Sequence, residues 1–215
     1  MSFLFTVIAR NTDGLLLYGS MDQTSSELDE FHQRAKQIIS SLRSTDPSQC
    51  SLSCTNYQFH YVISSNVCYL VLTHVSFQRS LAFSYLEEVK QAFEKTYGPR
   101  VSTASQSYEF IAFDTLHSSI KRQYSDIHAS SNVQKARQNL EEVRRIMTKN
   151  IDELLERGDK FDYLKAQTTS LSESARKYKA QSIKVWRHLL VQKLTPIVGF
   201  VLVISTFWFI KKLRR

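Results

Sequence analysis

Between Val133 and Val185, marked residues of this 215-residue chain recur at alternating steps of three and four without a slip. The series reads Val133, Ala136, Leu140, Val143, Met147, Asn150, Leu154, Arg157, Phe161, Leu164, Thr168, Leu171, Ala175, Tyr178, Ser182 and Val185, and twelve of these sixteen are apolar. A repeat averaging 3.5 residues keeps one narrow stripe on one side of a helix and draws partner helices into a left-handed supercoil. No proline interrupts the stretch. At about 1.5 Å per residue it makes a rod of roughly 80 Å, longer and narrower-faced than a helix buried in a globule. The pattern predicts a coiled-coil segment over residues 128–188.

The exceptions in the stripe define what can pair with it. Arg157 stands mid-seam, between Leu154 and Phe161. A guanidinium carries five donors, and burying it unpaired costs several kcal/mol. Parallel self-association would stack like charges at that layer, so other chains must supply oxygens, most simply amides. Ala136 and Ala175 leave a two-stranded zipper underfilled and suit a bundle of more chains. The remaining faces are strongly polar, so the isolated segment is expected to be disordered and to fold on its partners. The residues leave one alternative open: an exposed arginine at a break marked by Gly158.

Residues 194–210, LTPIVGFVLVISTFWFI, carry no charge and end at KKLRR. Seventeen residues give roughly 25 Å of helix, the short end of what spans a bilayer. Pro196 is tolerated in the first turn, and Trp186 and Trp208 stand where amphipathic rings favour the membrane interface. After Glu173 come ten cations and no anion, whereas residues 1–173 hold 18 cations against 20 anions; the whole chain is +8. That basic excess brackets an apolar run, which suits anionic lipid headgroups and argues against nucleic acid. A span with five residues after it is expected to insert once synthesis is complete. That leaves 1–193 cytosolic and the tail 211–215 across the membrane. Residues 189–193 form a short juxtamembrane linker, and no Gly or Pro in 186–193 stops helix running into the span. A short span suits the thinner membranes of the early secretory pathway. FLFTVIA (3–9) is too short, and lacks the basic flank, for a signal peptide.

Residues 1–127 read as a globular α+β domain. Two apolar strand runs, 3–9 and 15–20, are joined by the hairpin composition Asn11-Thr12-Asp13-Gly14. Thr24 with Glu27 suggests a capping box opening a helix that shows Leu28, Phe31, Ala35, Ile38 and Leu42 on one face. A Ser/Asp/Pro-rich loop is expected at 44–53. Strands 57–63 and 67–75 follow around Ser64-Ser65-Asn66, then a helix over 80–97 with Leu81, Ala82, Tyr85, Leu86, Val89, Ala92 and Phe93 inward, stopped by Gly98-Pro99. A last strand is expected through Tyr108, Phe110 and Ala112, and a last helix capped by Asp114. The order β-β-α-β-β-α-β-α predicts an antiparallel sheet with helices packed on it.

Nothing in the pattern suggests catalysis. His60 and His74 fall in strands and His117 in a helix, outside any nucleophile or metal-ligand motif. Five glycines leave little for phosphate-cradling loops. Cys50, Cys54 and Cys68 are odd in number, with no second ligand pair for a metal, so neither disulfides nor a metal or other cofactor is expected. No small-molecule substrate is implied. A membrane-anchored interaction protein remains, either a fusion protein or a non-fusogenic tether or regulator using the same coil.

The strings VRRIMTKNIDELLERGDKFDYL (143–164), TVIARNTDGLLLY (6–18), LAFSYLEEVKQAFEKTYGP (81–99) and YEFIAFD (108–114) resemble the longin-type R-SNAREs of the endoplasmic reticulum–Golgi branch. The resemblance covers essentially the whole chain. It implies a longin, profilin-like domain, a long SNARE helix and a single C-terminal membrane anchor. It implies a parallel four-helix bundle in which three Q-SNARE helices offer glutamines to Arg157, and membrane fusion driven by zippering from Val133 toward Val185. It also implies that Asn150, Ile151 and Asp152 fold back onto the longin domain, a closed form recognised by vesicle coat subunits. Asp152 departs from the family's usual Glu, and the tail is more basic than the family pattern.

Overall fold

A computed structural model describes residues 3–20, 26–125 and 140–156 of the chain. Its centre is β5 (Val67–His74), whose sequence VCYLVLTH is apolar without alternation because helices cover both faces of the sheet at this strand. On one side β5 pairs with β1 (Phe5–Arg10), and β1 pairs in turn with β2 (Leu16–Gly19). On the other side come β4 (Tyr57–Ser64) and then β3 (Gln49–Cys54). All four of these pairings are antiparallel. The β4–β5 hairpin turns at Ser65 and Asn66, both at positive φ (48 and 66), the backbone that a two-residue turn between right-twisted strands requires.

Alternation along β1 sends its side chains to two cores. Phe5, Val7 and Ala9 join Leu70, Leu72, Phe59 and the inward residues Ala35, Ile38 and Ile39 of α1 (Ser26–Ser41). Ile8 joins Tyr69, Val71, Tyr18 and the face Leu81, Ala82, Tyr85, Leu86, Val89 and Phe93 of α2 (Arg79–Tyr97). The helix α3 (Asp114–Ser125) closes that second core with Ile120 and Tyr124. Two polar clusters inside the cores are matched. Tyr85 Oη lies 2.7 Å from Thr6 Oγ1 and 2.6 Å from His117 Nε2, and His60 lies 2.8 Å from Ser51 Oγ and 3.1 Å from Thr73 Oγ1. His60 and His117 are therefore structural.

Two expectations are corrected. The loop foreseen at 44–53 ends in a strand: within QCSLSC, Cys50, Leu52 and Cys54 alternate and are buried, which the surrounding serines concealed. The strand foreseen through Tyr108, Phe110 and Ala112 is instead a turn leading into a 3-10 helix at Ile111–Phe113. Tyr108 sits at φ 60, in the left-handed region, so extended pairing cannot continue through it. The segment still docks on the outer edge of β2, where Tyr108 N–H and Phe110 N–H donate to the carbonyls of Leu16 and Leu17 at 2.7 and 3.1 Å. Asp114 begins α3 and accepts Tyr18 Oη–H at 2.9 Å. Thr24, foreseen as a cap, lies outside the described residues.

Candidate functional site

With β2 covered by residues 108–110, the sheet's other edge is β3. An unpaired edge presents a row of backbone donors and acceptors ready for another strand. Here the strand comes from the same chain, 93 residues downstream of Cys54 in sequence: β6 (Met147–Asn150) lies parallel to β3, with Cys50 opposite Met147, Ser51 opposite Thr148, Leu52 opposite Lys149 and Ser53 opposite Asn150. The order is β2-β1-β5-β4-β3-β6, so the sheet is mixed where a wholly antiparallel one was expected. Side chains reinforce the edge. Cys50 Sγ–H donates to Met147 O at 3.4 Å and Ser53 Oγ–H to Lys149 O at 3.2 Å. Lys149 Nζ stands 3.9 Å from Asp46.

Short helices flank β6, and they anchor in different cores. Before it, α4 (Leu140–Arg145) buries Val143 in the α2-side core. After it, α5 (Ile151–Leu155) buries Ile151 and Leu154 in the α1-side core, at 1% and 2% exposure. Asn150 makes the turn between strand and helix. Its backbone is extended (φ −74, ψ 138), and its Oδ1 caps the helix by accepting Asp152 N–H at 3.1 Å. Asp152 and Glu153 then supply the acidic first turn that a helix N-terminus favours.

Arg79, the first residue of α2, holds α4 in place. Its Nη2 donates to the carbonyls of Ile146 (2.7 Å) and Val143 (3.4 Å), and its Nη1 to Thr148 Oγ1 (3.0 Å). A cation on the last carbonyls of a short helix satisfies groups the helix cannot. Sequence reasoning did not find Arg79. The available signal was a cation opening a helix, where the macrodipole disfavours it.

The electrostatics are those of a packing interface. Burial raises the Cys50 thiol, which keeps it protonated as a donor, and pushes Cys68 up to about 12. Burial also lowers His60 to about 3, leaving it neutral between its two hydroxyl partners. Among the described residues no group of His, Cys, Asp and Glu could hold a metal ion.

Of the seam positions, the structure separates Val143 and Leu154 onto opposite faces of the sheet, exposes Met147 (53%) and uses Asn150 as a cap. A continuous helix is therefore not what residues 140–156 form here. Strand pairing at 147–150 interrupts it, and the burial of Val143, Ile151 and Leu154 compensates for the lost helical turns. Leu140 is in α4. Val133, Ala136, Arg157, Phe161, Leu164, Thr168, Leu171, Ala175, Tyr178, Ser182 and Val185 lie outside the described residues, as does the foreseen span 194–210. Among the described residues no helix is long and apolar enough to cross a membrane.

Two family models match the chain, "Regulated-SNARE-like domain" (longin) over residues 17–116 and "Synaptobrevin" over 132–211. A zebrafish (Danio rerio) vesicle-trafficking protein SEC22b-B is 38% identical, covering 83% of this chain and 85% of its own length. A Xenopus tropicalis vesicle-trafficking protein SEC22b is 35% identical over 96% of this chain and 99% of its own. The chain belongs to the SEC22 family of longin-type R-SNAREs. An Arabidopsis thaliana member, a 25.3 kDa vesicle transport protein SEC22-1, is 36% identical over 97% of this chain and 98% of its own. The longin match runs from β2 through α1, β3, β4, β5 and α2 to the start of α3, and the folded-back residues 140–156 lie inside the synaptobrevin match. Members of this family are trafficking proteins and not enzymes.

Proposed function

We propose that the chain is the R-SNARE of a vesicle–membrane fusion step between endoplasmic reticulum and Golgi, and that its longin domain stores residues 140–156 between rounds of zippering. The observation that carries this reading is the burial of Val143 and Leu154, 7% and 2% exposed, against the domain. Both are seam positions of the heptad repeat. A four-helix bundle needs them in one line on one helix, so docking and zippering exclude each other.

In the zippered state Arg157 enters the central layer and takes oxygens from glutamines of three Q-SNARE helices. Apolar layers at Leu154 and Phe161 keep water from it and fix the register. Zippering from Val133 toward Val185 ends nine residues before the span 194–210, so assembly pulls on the membrane that this helix anchors. Residues 1–193 are cytosolic and 211–215 lumenal in this reading. In the docked state the composite surface of β3, β6 and α5 exists only while the segment is folded back. Vesicle coat subunits that bind this surface would select unassembled SNARE for packaging.

Liposome mixing with reconstituted full-length chain and a Q-SNARE set tests the fusion reading. Lipid mixing is the expected result, and docking of vesicles without mixing would make the protein a tether. In the same assay Arg157→Ala is expected to slow mixing and loosen partner choice while reducing total binding less. An unchanged rate and unchanged partner choice would remove the ionic layer from the account.

A further inference from the structure

We propose that Thr148 is a phosphorylation site, and that its phosphate locks the folded-back segment onto Arg79. This rests on the docked segment exchanging with a zippered one, as proposed above. Thr148 lies in β6 opposite Ser51 and is exposed, and its Oγ1 already accepts Arg79 Nη1–H at 3.0 Å. The same guanidinium reaches the Val143 and Ile146 carbonyls through Nη2, while its buried Nε has no partner among the described residues. A donor therefore stays unmatched beside a hydroxyl open to solvent. The first turn of α2, which Arg79 begins, carries no acidic residue to repel an anion, and its N-cap Gln78 makes no side-chain cap bond.

The sequence around the hydroxyl completes the argument. Arg144 and Arg145 stand four and three residues before Thr148, and Lys149 follows it. A kinase whose acidic cleft reads arginine three residues before its target can take this stretch as an extended strand once it leaves β3. Thr148 Oγ attacks the γ-phosphorus of a nucleoside triphosphate. The new P–O bond replaces the bond to the departing diphosphate, and the hydroxyl proton passes to the kinase's base. The product adds about −1.5 to −2 charge and three acceptor oxygens. In the docked state those oxygens meet the Arg79 fork in a charge-assisted pair. In a bundle Thr148 directly follows the seam position Met147 and stands on the outer surface, away from Arg79. The phosphate thus stabilises one state only and acts as a brake on zippering.

The test uses full-length chain in lipid nanodiscs, with either threonine or encoded phosphothreonine at 148. Amide exchange is followed over residues 147–155, and the rate of bundle assembly with an ER–Golgi Q-SNARE set is measured alongside. Phosphorylation is expected to slow both by about tenfold or more, the size of one charge-assisted hydrogen bond gained in a single state. Arg79→Gln should cancel that difference, Arg79→Lys should keep part of it, and a kinase selecting arginine at the third preceding position should modify Thr148 but label Arg145→Ala poorly. Unchanged or faster exchange in the phosphorylated chain overturns the proposal. So does a phosphate effect that survives Arg79→Gln, or failure of such a kinase to modify Thr148. If unmodified chain shows no protection at 147–155, the docking reading itself has failed, visibly before any phosphate is added, and this inference falls with it.

Discussion

Arg79 connects three acceptors on the folded-back segment, and none of them lies on its own helix. Replacing it with alanine leaves the Val143 and Ile146 carbonyls and the Thr148 hydroxyl without that donor. The expected cost is about 1–3 kcal/mol, falling on docking and not on the domain. Amide exchange at residues 147–150 should accelerate by tenfold or more in Arg79→Ala, while the melting temperature of the longin domain stays nearly unchanged. His60 gives the opposite case, a residue whose cost is global. It is fully buried with a folded pKa lowered from 6.5 to about 3, chiefly by burial. A depressed histidine means that the unfolded chain binds the proton more readily. Stability is therefore full above pH 6.5 and lost as pH falls from there toward 3. By pH 5 the loss from this group alone is about 2 kcal/mol. Urea unfolding of the wild type at pH 7.5 and pH 5 should show that difference, and His60→Gln should flatten it.

At the scale of elements, Ile151 separates docking from zippering. It is 1% exposed in the α1-side core, yet it falls off the heptad stripe, between seam positions Asn150 and Leu154. Ile151→Ala removes buried volume that costs about 2–5 kcal/mol in a well-packed core, more than a short docked segment can spare. Exchange protection at 147–155 should collapse in that variant while bundle assembly keeps its rate or speeds up. Slower assembly would show that Ile151 serves the bundle instead. The elements also show how much was legible in the sequence. β1, β2, β4, β5 and the helices α1 and α2 follow from runs whose period is unambiguous, such as VCYLVLTH or the Leu81–Phe93 face. β3 was hidden because serines alternate with its two cysteines and Leu52, so composition outweighed period. The 108–113 segment misled because Tyr108, Phe110 and Phe113 are apolar for docking and turn packing, not for pairing. Residues 140–156 carry two patterns at once. The heptad is plain, whereas the strand at 147–150 is short, polar and recognisable only with the β3 edge in view. Under the proposed function such a segment encodes a choice between partners, and a single-period reading reports one half of it.

For the whole molecule, the proposed function has one stretch of chain serve two incompatible assemblies, the longin domain competing with the partner helices for it. Val143 and Leu154 cannot lie on opposite faces of a sheet and along one side of a helix at the same time. The most direct measurement is amide exchange at the β3 edge, residues 49–54, in full-length chain in nanodiscs before and after a Q-SNARE set is added. The account predicts that protection of β3 amides facing β6 is present before assembly and lost in proportion to the bundle formed. Full retention of that protection in the assembled complex would contradict it, because the domain would then be holding a strand that the bundle is supposed to have taken.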